Sequence, residues 1–231
     1  MKKKIKVRLS EQDFIDLIKK HLLGGKNGNL LKGIVGDDET ETKTGEKDKP
    51  FLNTGDDSKF TDLDLTTTQG YDAYKTIAQK FIDKRGSNLL GITGDMLADS
   101  ARNAYKTYYK YVPPELALAQ LAAEGGFSKN PNARPIRTKN PFNVGNTDDG
   151  KNVTHGTVKD GIQTYYNLIA KNYLTGGKTA DDLINNFVNK NNLRYAGAGY
   201  EDMVRKIAGE VKSISEPVYA SLVKDMHSKQ V

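Results

Sequence analysis

The sequence predicts a mainly helical domain with one small β-hairpin, preceded by an N-terminal helix and an acidic linker. Three observations lead to this fold class. Apolar side chains recur at helical spacing through most of the chain after residue 70. Residues 142–154 alone favour β structure, and Asp149-Gly150 within them is a typical hairpin turn. The charge and the aromatic content both change near residue 66.

The composition excludes several classes of protein. The chain has 231 residues, enough for one ordinary domain with extensions or for two small domains. It has no cysteine, which rules out disulfides, zinc-thiolate sites, iron-sulfur clusters and cysteine nucleophiles. No apolar run approaches the roughly 18 to 20 residues of a membrane span. The basic start at residues 1–8 leads into no apolar segment, so we expect no signal peptide.

The net charge of +6 divides the chain into three unlike segments. Residues 1–35 carry nine basic and three acidic side chains, residues 36–66 carry four and ten, and the remainder carries 22 and 16. All 12 tyrosines lie beyond residue 70, where a packed core is expected to begin. We therefore predict an N-terminal docking or targeting helix in residues 1–25, a flexible acidic linker in 26–69 and a folded domain in 70–231.

The N-terminal segment predicts an amphipathic helix over residues 10–23, with Ser10 as its N-cap and Gly24-Gly25 as its end. Such a helix either packs on its own domain or docks on a partner or an anionic surface. The following residues, 36–68, are rich in Asp, Glu, Lys, Thr and Gly, a composition typical of a tether.

Seven helices are predicted after residue 70. The third of them, residues 115–124, is apolar around nearly its whole circumference and is expected to be buried, with Pro114 as its first residue. Thr179 is the predicted N-cap of a later helix, and Pro217 is predicted to start the last one. The other helices are expected near residues 74–82, 96–108, 158–173, 183–188, 200–211 and 217–226.

Glu124 is the strongest candidate for chemistry. It ends the buried apolar helix and is followed by Gly125-Gly126, which can adopt a left-handed cap and bring the backbone close to a ligand. Apolar surroundings and the negative end of the helix dipole both disfavour the carboxylate and raise its pKa. A carboxylic acid that stays protonated near neutral pH can protonate a glycosidic oxygen. The alternative is a glutamate that simply emerges into solvent at a helix end.

The surrounding residues resemble a known family. Residues 112–128 contain a P-x-x-x-x-A-Q-x-x-x-E-G-G pattern, and Asn140-Pro141-Phe142-Asn143-Val144 follows it. Both segments resemble the core of the bacterial and phage N-acetylglucosaminidases of glycoside hydrolase family 73. The segment that begins Arg194-Tyr195-Ala196 is similar to a third motif of that family. The resemblance spans about residues 71–212 and implies a lysozyme-like fold, with Glu124 as the general acid.

The resemblance also implies roles for other residues. Tyr195 or Tyr200 matches the tyrosine near the substrate's acetamido group, and Tyr195 is the predicted catalytic tyrosine of the two. Relatives often carry a second carboxylate in the hairpin, where this chain has two aspartates and no glutamate. Asp148 is the candidate to orient water or stabilise the oxocarbenium, Asp149 serves the turn or binds substrate, and the substrate's own acetamido oxygen is the alternative nucleophile. The expected substrate-binding residues are Phe127, Phe142, Asn143, Asp149, Tyr166 and Tyr200.

The function predicted from the resemblance is an endo-β-N-acetylglucosaminidase that cleaves bacterial peptidoglycan. A muramidase or lytic transglycosylase of the same fold is one alternative, and a non-enzymatic virion structural or assembly protein is another. Nucleic-acid binding through the basic residues of 129–139 is a further hypothesis, but acidic residues are interleaved and no known nucleic-acid-binding motif is present.

No cofactor and no metal site are predicted, because no set of His, Asp and Glu has ligand spacing. A wall hydrolase without a signal peptide suggests a phage product, held in the virion through residues 1–23 or kept in the host cytoplasm until release.

Overall fold

The computed structural model describes residues 52–53, 62–147 and 150–228. The helix predicted over residues 10–23 and most of the acidic linker lie outside these residues. The described part of the chain is mainly helical, as predicted from the periodicity. Within it, no helix is long and apolar enough to cross a membrane.

Packing begins earlier than the boundary predicted at residue 70. Two short strands, β1 (Leu52–Asn53) and β2 (Asp62–Leu63), pair antiparallel with Leu52 opposite Leu63. Leu63 and Leu65 are buried in the same apolar core as the helices that follow. The prediction that residues 26–69 form only a linker is therefore wrong at its C-terminal end, because these two leucines gain apolar partners in the core.

Helices α1 (Thr68–Arg85) and α2 (Gly94–Tyr108) confirm the first two predicted helices. Each begins with a threonine N-cap, Thr67 or Thr93, whose side chain accepts a hydrogen bond from the first turn. The two helices pack on each other. The apolar face predicted for α1 is buried throughout: Tyr74, Ile77, Ala78, Phe81 and Ile82.

Helix α3 (Pro114–Ala123) is buried along nearly all of its length, as its apolar composition predicts. It packs mainly against the last helix, and it also contacts α1. Pro114 occupies its first turn, where a missing N–H costs nothing. A short helix that the sequence did not reveal, α4 (Arg134–Arg137), follows within the basic loop.

The predicted β-hairpin at residues 142–154 is wrong in its strands. Residues 142–147 and 150–154 have no strand, and the Thr147 N–H donates to the Lys151 carbonyl. Asn143 and Gly145 have left-handed backbone angles, φ 51° and 73°, which no continuous strand can contain. The side chain of Asn140, instead of a partner strand, binds the carbonyls of Val144 and Val153.

Helix α5 (Val158–Leu168) continues into a single π-helical stretch, Ile169–Tyr173, and together they cover the predicted helix over residues 158–173. Helix α6 (Ala180–Asn185) begins with the predicted Thr179 cap, which forms a full capping box with Asp182. It ends three residues before the predicted end. Val188 instead forms an isolated antiparallel bridge with Arg194.

The last two predicted helices are one helix, α7 (Tyr200–Ser228), with Pro217 inside it. Proline normally ends or kinks a helix because it lacks an N–H and its ring crowds the preceding turn. Here Ser215 and Tyr219, on either side of the proline, both donate hydrogen bonds to the buried Glu115 of α3. These tertiary contacts hold both halves of α7 on α3, so the predicted break does not form.

Candidate active site

Glu124 occupies the C-cap of α3, at the end of the most buried helix. The Gly126 N–H donates to the Leu121 carbonyl at 2.9 Å, and the Gly125 N–H donates to the Ala122 carbonyl at 3.2 Å. This pair of bonds is a Schellman motif, and Gly125 has the left-handed φ of 80° that it requires. A Cβ on Gly126 would clash with the Leu121 side chain. The two glycines thus stop the helix so that Glu124 is half-buried at its end.

Asn143 ties the following loop to Glu124. Its Nδ2 donates to the Glu124 carbonyl oxygen at 2.8 Å and lies 3.3 Å from the carboxylate Oε2. Asn146 Nδ2 in turn donates to Asn143 Oδ1 at 2.9 Å, which fixes the orientation of the Asn143 amide. Asn146 Oδ1 accepts from the Val153 N–H at 2.8 Å. Amide side chains therefore hold this loop against the end of α3.

Tyr200, at the start of α7, is the second partner of the carboxyl group. Its hydroxyl accepts a hydrogen bond from Gln120 Nε2 at 2.9 Å. The same hydroxyl is near enough to the Glu124 carboxyl group to lower the pKa of that group by side-chain hydrogen bonding. Gln120 lies one helical turn before Glu124 on α3, so both side chains project from the same face. Tyr200 is nearly buried, and its hydroxyl is occupied by these two partners.

The surroundings raise the pKa of Glu124 above its ordinary value. Burial is the largest cause, because it disfavours the charged form. Hydrogen bonds from Tyr200 and Asn143 and the positive charge of Arg134 act in the opposite direction. This upward shift of the pKa has the direction expected from the sequence. The site therefore both retains the proton of Glu124 and supplies groups that stabilise the carboxylate after the proton has left.

Tyr195 lies beside Tyr200 in a cluster of aromatic rings. The two rings stack with centroids 5.5 Å apart, and the Tyr195 hydroxyl donates to the Phe142 carbonyl at 3.1 Å. Arg194 Nη2 lies 2.7 Å from both carboxylate oxygens of Glu201, which also accepts from the Phe187 N–H. This ion pair fixes the segment that carries Tyr195 to the first turn of α7. The role predicted for Tyr195 in catalysis stays a prediction.

Two of the predicted substrate-binding residues belong to the core. Phe142 is buried and stacks on Tyr165, with ring centroids 3.7 Å apart. Tyr166 is also buried, and its hydroxyl lies 2.7 Å from that of Tyr74. The prediction that these two rings bind substrate directly is wrong, because both pack against other side chains inside the domain.

The other predicted residues are placed differently. Phe127 is half-buried after the glycines, with its ring edge against Phe81. Asn143 contacts Glu124 directly. Tyr200 is buried beside Glu124, so it is better described as a partner of the acid than as a residue that contacts substrate. Asp148 and Asp149 lie outside the described residues, so their predicted roles stay predictions.

Three residues of the site were assigned no role from the sequence. Gln120 carries the one polar side chain between Leu116 and Ala123, which was the available signal. In the sequence Arg134 is only one of several basic residues in a loop, whereas in the structure its positive charge lowers the pKa of Glu124. Asn146 follows Asn143 by three residues, a spacing that indicates a turn and not a strand. The contacts of all three depend on how separate segments meet in space.

The described residues contain no group of three or more His, Asp and Glu side chains that could hold a metal ion. No protein-family model, no curated protein and no solved structure matches the chain. A half-buried carboxyl group with a raised pKa and three stabilising neighbours can act as a general acid.

Proposed function

We propose that the protein is a peptidoglycan hydrolase that cleaves the glycan strand, with Glu124 as the general acid. In the finer form of this proposal it is an endo-β-N-acetylglucosaminidase. The carrying observation is Glu124 itself, which is half-buried at the end of a buried helix with a raised pKa and two hydrogen-bonding neighbours. The motif resemblance around residues 112–128 and 140–144 supports the choice of substrate.

The raised pKa of Glu124 suits proton donation to a glycosidic oxygen. A larger fraction of the group stays protonated near neutral pH than for an ordinary glutamate. When the proton leaves, Asn143, Tyr200 and Arg134 stabilise the carboxylate that remains. Cleavage is expected to decline as the pH rises through the pKa of Glu124, because the acid form is then lost.

The second half of the reaction needs a nucleophile. In this proposal Asp148 orients the attacking water or stabilises the oxocarbenium, and the acetamido oxygen of the substrate is the alternative. Replacing Asp148 by Asn separates the two: a large loss of activity supports the carboxylate, and a small loss supports the substrate-assisted route.

The test is digestion of purified peptidoglycan by the full chain, with mass spectrometry of the new ends. Reducing N-acetylglucosamine supports the glucosaminidase, reducing N-acetylmuramic acid supports a muramidase, and an anhydro-muramyl end supports a lytic transglycosylase. Glu124→Gln should lower product formation by roughly 10²- to 10⁴-fold while its circular dichroism stays that of the wild type, and Glu216→Gln on α7 serves as the control. If the wild type releases no ends of any of these kinds, the proposed function is wrong.

The N-terminal segment is proposed to attach the enzyme to a carrier such as a phage virion. Removing residues 1–51 should leave cleavage of soluble glycan fragments within a few-fold of the wild type. Removing residues 1–66 also deletes Leu63 and Leu65, which are buried in the core, and should destabilise the fold. If the shorter deletion alone abolishes cleavage, these residues are part of the catalytic machinery.

A further inference from the structure

A line of buried hydrogen bonds leads from the middle of the domain to Glu124. Tyr165 on α5 donates from its hydroxyl to Gln120 Oε1 at 2.5 Å. Gln120 Nε2 on α3 donates to the Tyr200 hydroxyl oxygen at 2.9 Å. Tyr200 on α7 completes the line, because its hydroxyl lowers the pKa of the Glu124 carboxyl group by side-chain hydrogen bonding. Three helices thus each contribute one member to a series that ends on the proposed acid.

The chemistry of the members fixes the direction of this line. Once Glu124 has given up its proton, the carboxylate only accepts hydrogen bonds, so the single hydroxyl proton of Tyr200 then points toward Glu124. The Tyr200 oxygen then accepts a proton from its other neighbour, which requires the NH2 group of Gln120. The oxygen of the same amide is left to accept from Tyr165. All donors therefore run in one sense, from Tyr165 toward Glu124.

Burial keeps the line from reorienting. Gln120 and Tyr165 are 0% exposed, and Tyr200 is 7% exposed. Bulk water is not available to replace a lost partner at the first two positions, so turning the Gln120 amide would leave buried groups unpaired. Tyr165 is itself held by the Phe142 ring stacked on it. The orientation of the Tyr200 hydroxyl is thus set by groups that do not touch Glu124.

We propose that Gln120 and Tyr165 are positioning residues for Glu124, which hold the Tyr200 hydroxyl so that its proton is presented to the carboxylate when Glu124 has released its own proton. This proposal rests on the proposed function for its catalytic meaning, because the charge it stabilises is the one left on Glu124 after proton donation. Hydrogen bonds that are already oriented toward developing charge need no rearrangement during the reaction.

Other groups also face Glu124 from the elements around it. Arg134 of α4 contributes its positive charge, and Asn143 of the loop contributes its amide. Tyr195, Tyr165 and Tyr200 are the titratable neighbours, and burial raises the pKa of each well above its ordinary value, so they remain neutral. Variants of Tyr165 and Gln120 leave Arg134 and Asn143 in place, so a change at Glu124 in those variants reports on the line alone.

The sharpest test compares two adjacent tyrosines. Tyr165 and Tyr166 are both fully buried on α5, and each makes a buried side-chain hydrogen bond, but Tyr166 is paired with Tyr74. Tyr165→Phe frees the Gln120 amide to turn and accept the Tyr200 proton, so the pKa of Glu124 should rise. Tyr166→Phe should cost comparable thermal stability and leave the pKa of Glu124 unchanged. The measurement is a carbon-13 NMR titration of the Glu124 carboxyl group in the full chain, assigned with Glu124→Gln.

Gln120→Met is a second test, because it removes both contacts of the line at similar side-chain length. The pKa of Glu124 should rise by less than in Tyr165→Phe, because methionine offers the Tyr200 proton no competing amide oxygen, and the rate at the optimum should fall because the Tyr200 hydroxyl is no longer held. If Gln120→Met does not fold, the tyrosine pair alone decides. An equal pKa for Glu124 in the wild type, Tyr165→Phe and Tyr166→Phe overturns the proposal. A rise confined to Tyr165→Phe in a protein that cleaves no peptidoglycan upholds the line and refutes the proposed function.

Discussion

The two ends of helix α3 carry two glutamates with opposite surroundings. Glu115 lies in the first turn and is fully buried, whereas Glu124 caps the last turn and is half-buried. Burial raises the pKa of both carboxyl groups. The helix dipole favours the charged form at the first end and disfavours it at the second.

The partners of the two glutamates differ in kind. Glu115 Oε1 accepts hydrogen bonds from Ser215 at 2.5 Å and from Tyr219 at 2.9 Å, both on α7. Its Oε2 is buried with no hydrogen-bond partner among the described residues. Glu124 is held by the loop residue Asn143 and by Tyr200, and part of it remains accessible. A raised pKa alone therefore does not mark a catalytic acid, because access to a substrate also decides.

The largest expected contrast between the two ends is in activity. Glu124→Gln should lower peptidoglycan cleavage by roughly 10²- to 10⁴-fold, the usual contribution of a general acid. Glu115→Gln should retain most of the activity, since that side chain is enclosed by α3 and α7. Release of reducing ends measures both, at equal concentrations of folded protein. If Glu115→Gln is as inactive as Glu124→Gln while remaining folded, the functional division between the two ends is wrong.

In stability the order should reverse. Glu115→Ala takes the carboxylate acceptor from the Tyr219 hydroxyl, leaves Ser215 only its bond to the Lys212 carbonyl and opens a cavity, at a cost of about 2–4 kcal/mol in the free energy of unfolding. Glu124→Ala should cost about 1 kcal/mol or less, because the side chain is partly solvated. Urea unfolding followed by circular dichroism measures both values. Equal losses would show that Glu124 is as much a part of the core as Glu115.

A pH-dependent contrast is expected near Glu115. Burial and the charges of Asp181 and Glu115 raise the pKa of Asp62 from 3.8 to about 6. The folded state then binds a proton that the unfolded state has already released, so the stability present below pH 3.8 is lost as the pH rises to about 6. Asp62→Asn should flatten this decline in a series of melting temperatures. A decline that is unchanged in Asp62→Asn would assign it to other groups.

The smallest effect concerns Pro217, which lies between the two hydroxyl partners of Glu115. Pro217→Ala restores a helical N–H and should stabilise the protein by roughly 0.5–1 kcal/mol, after the extra freedom of the unfolded chain is subtracted. In this background, α7 depends less on its contacts with Glu115. Glu115→Ala should then cost less than in the wild type, which a double-mutant cycle in urea measures. If the two changes in the free energy of unfolding simply add, Pro217 is not coupled to the contacts of Glu115 and this prediction is wrong.

Much of the fold could be predicted from local pattern. The apolar spacing of α1 and α2, the uniformly apolar α3 and the Thr179 cap are each properties of a few neighbouring residues, and the structure confirms them. The position of Glu124 at a glycine-stopped helix end is local in the same sense. The β-hairpin predicted within residues 142–154 was wrong, because Asn143 adopts a left-handed backbone angle and the Asn140 side chain takes the place of a strand partner.

The sequence by itself determined most of the helices, the placement of one carboxyl group at the end of a buried helix and the direction in which its pKa is shifted. These follow from periodicity, from capping residues and from an apolar neighbourhood along one segment. The tertiary structure alone decided that Gln120, Tyr165 and Tyr200 form one line to Glu124, that Phe142 and Tyr166 are core, and that α7 continues through Pro217. Each of these depends on contacts between residues tens of positions apart, whose energies can override a local preference such as that of proline to end a helix.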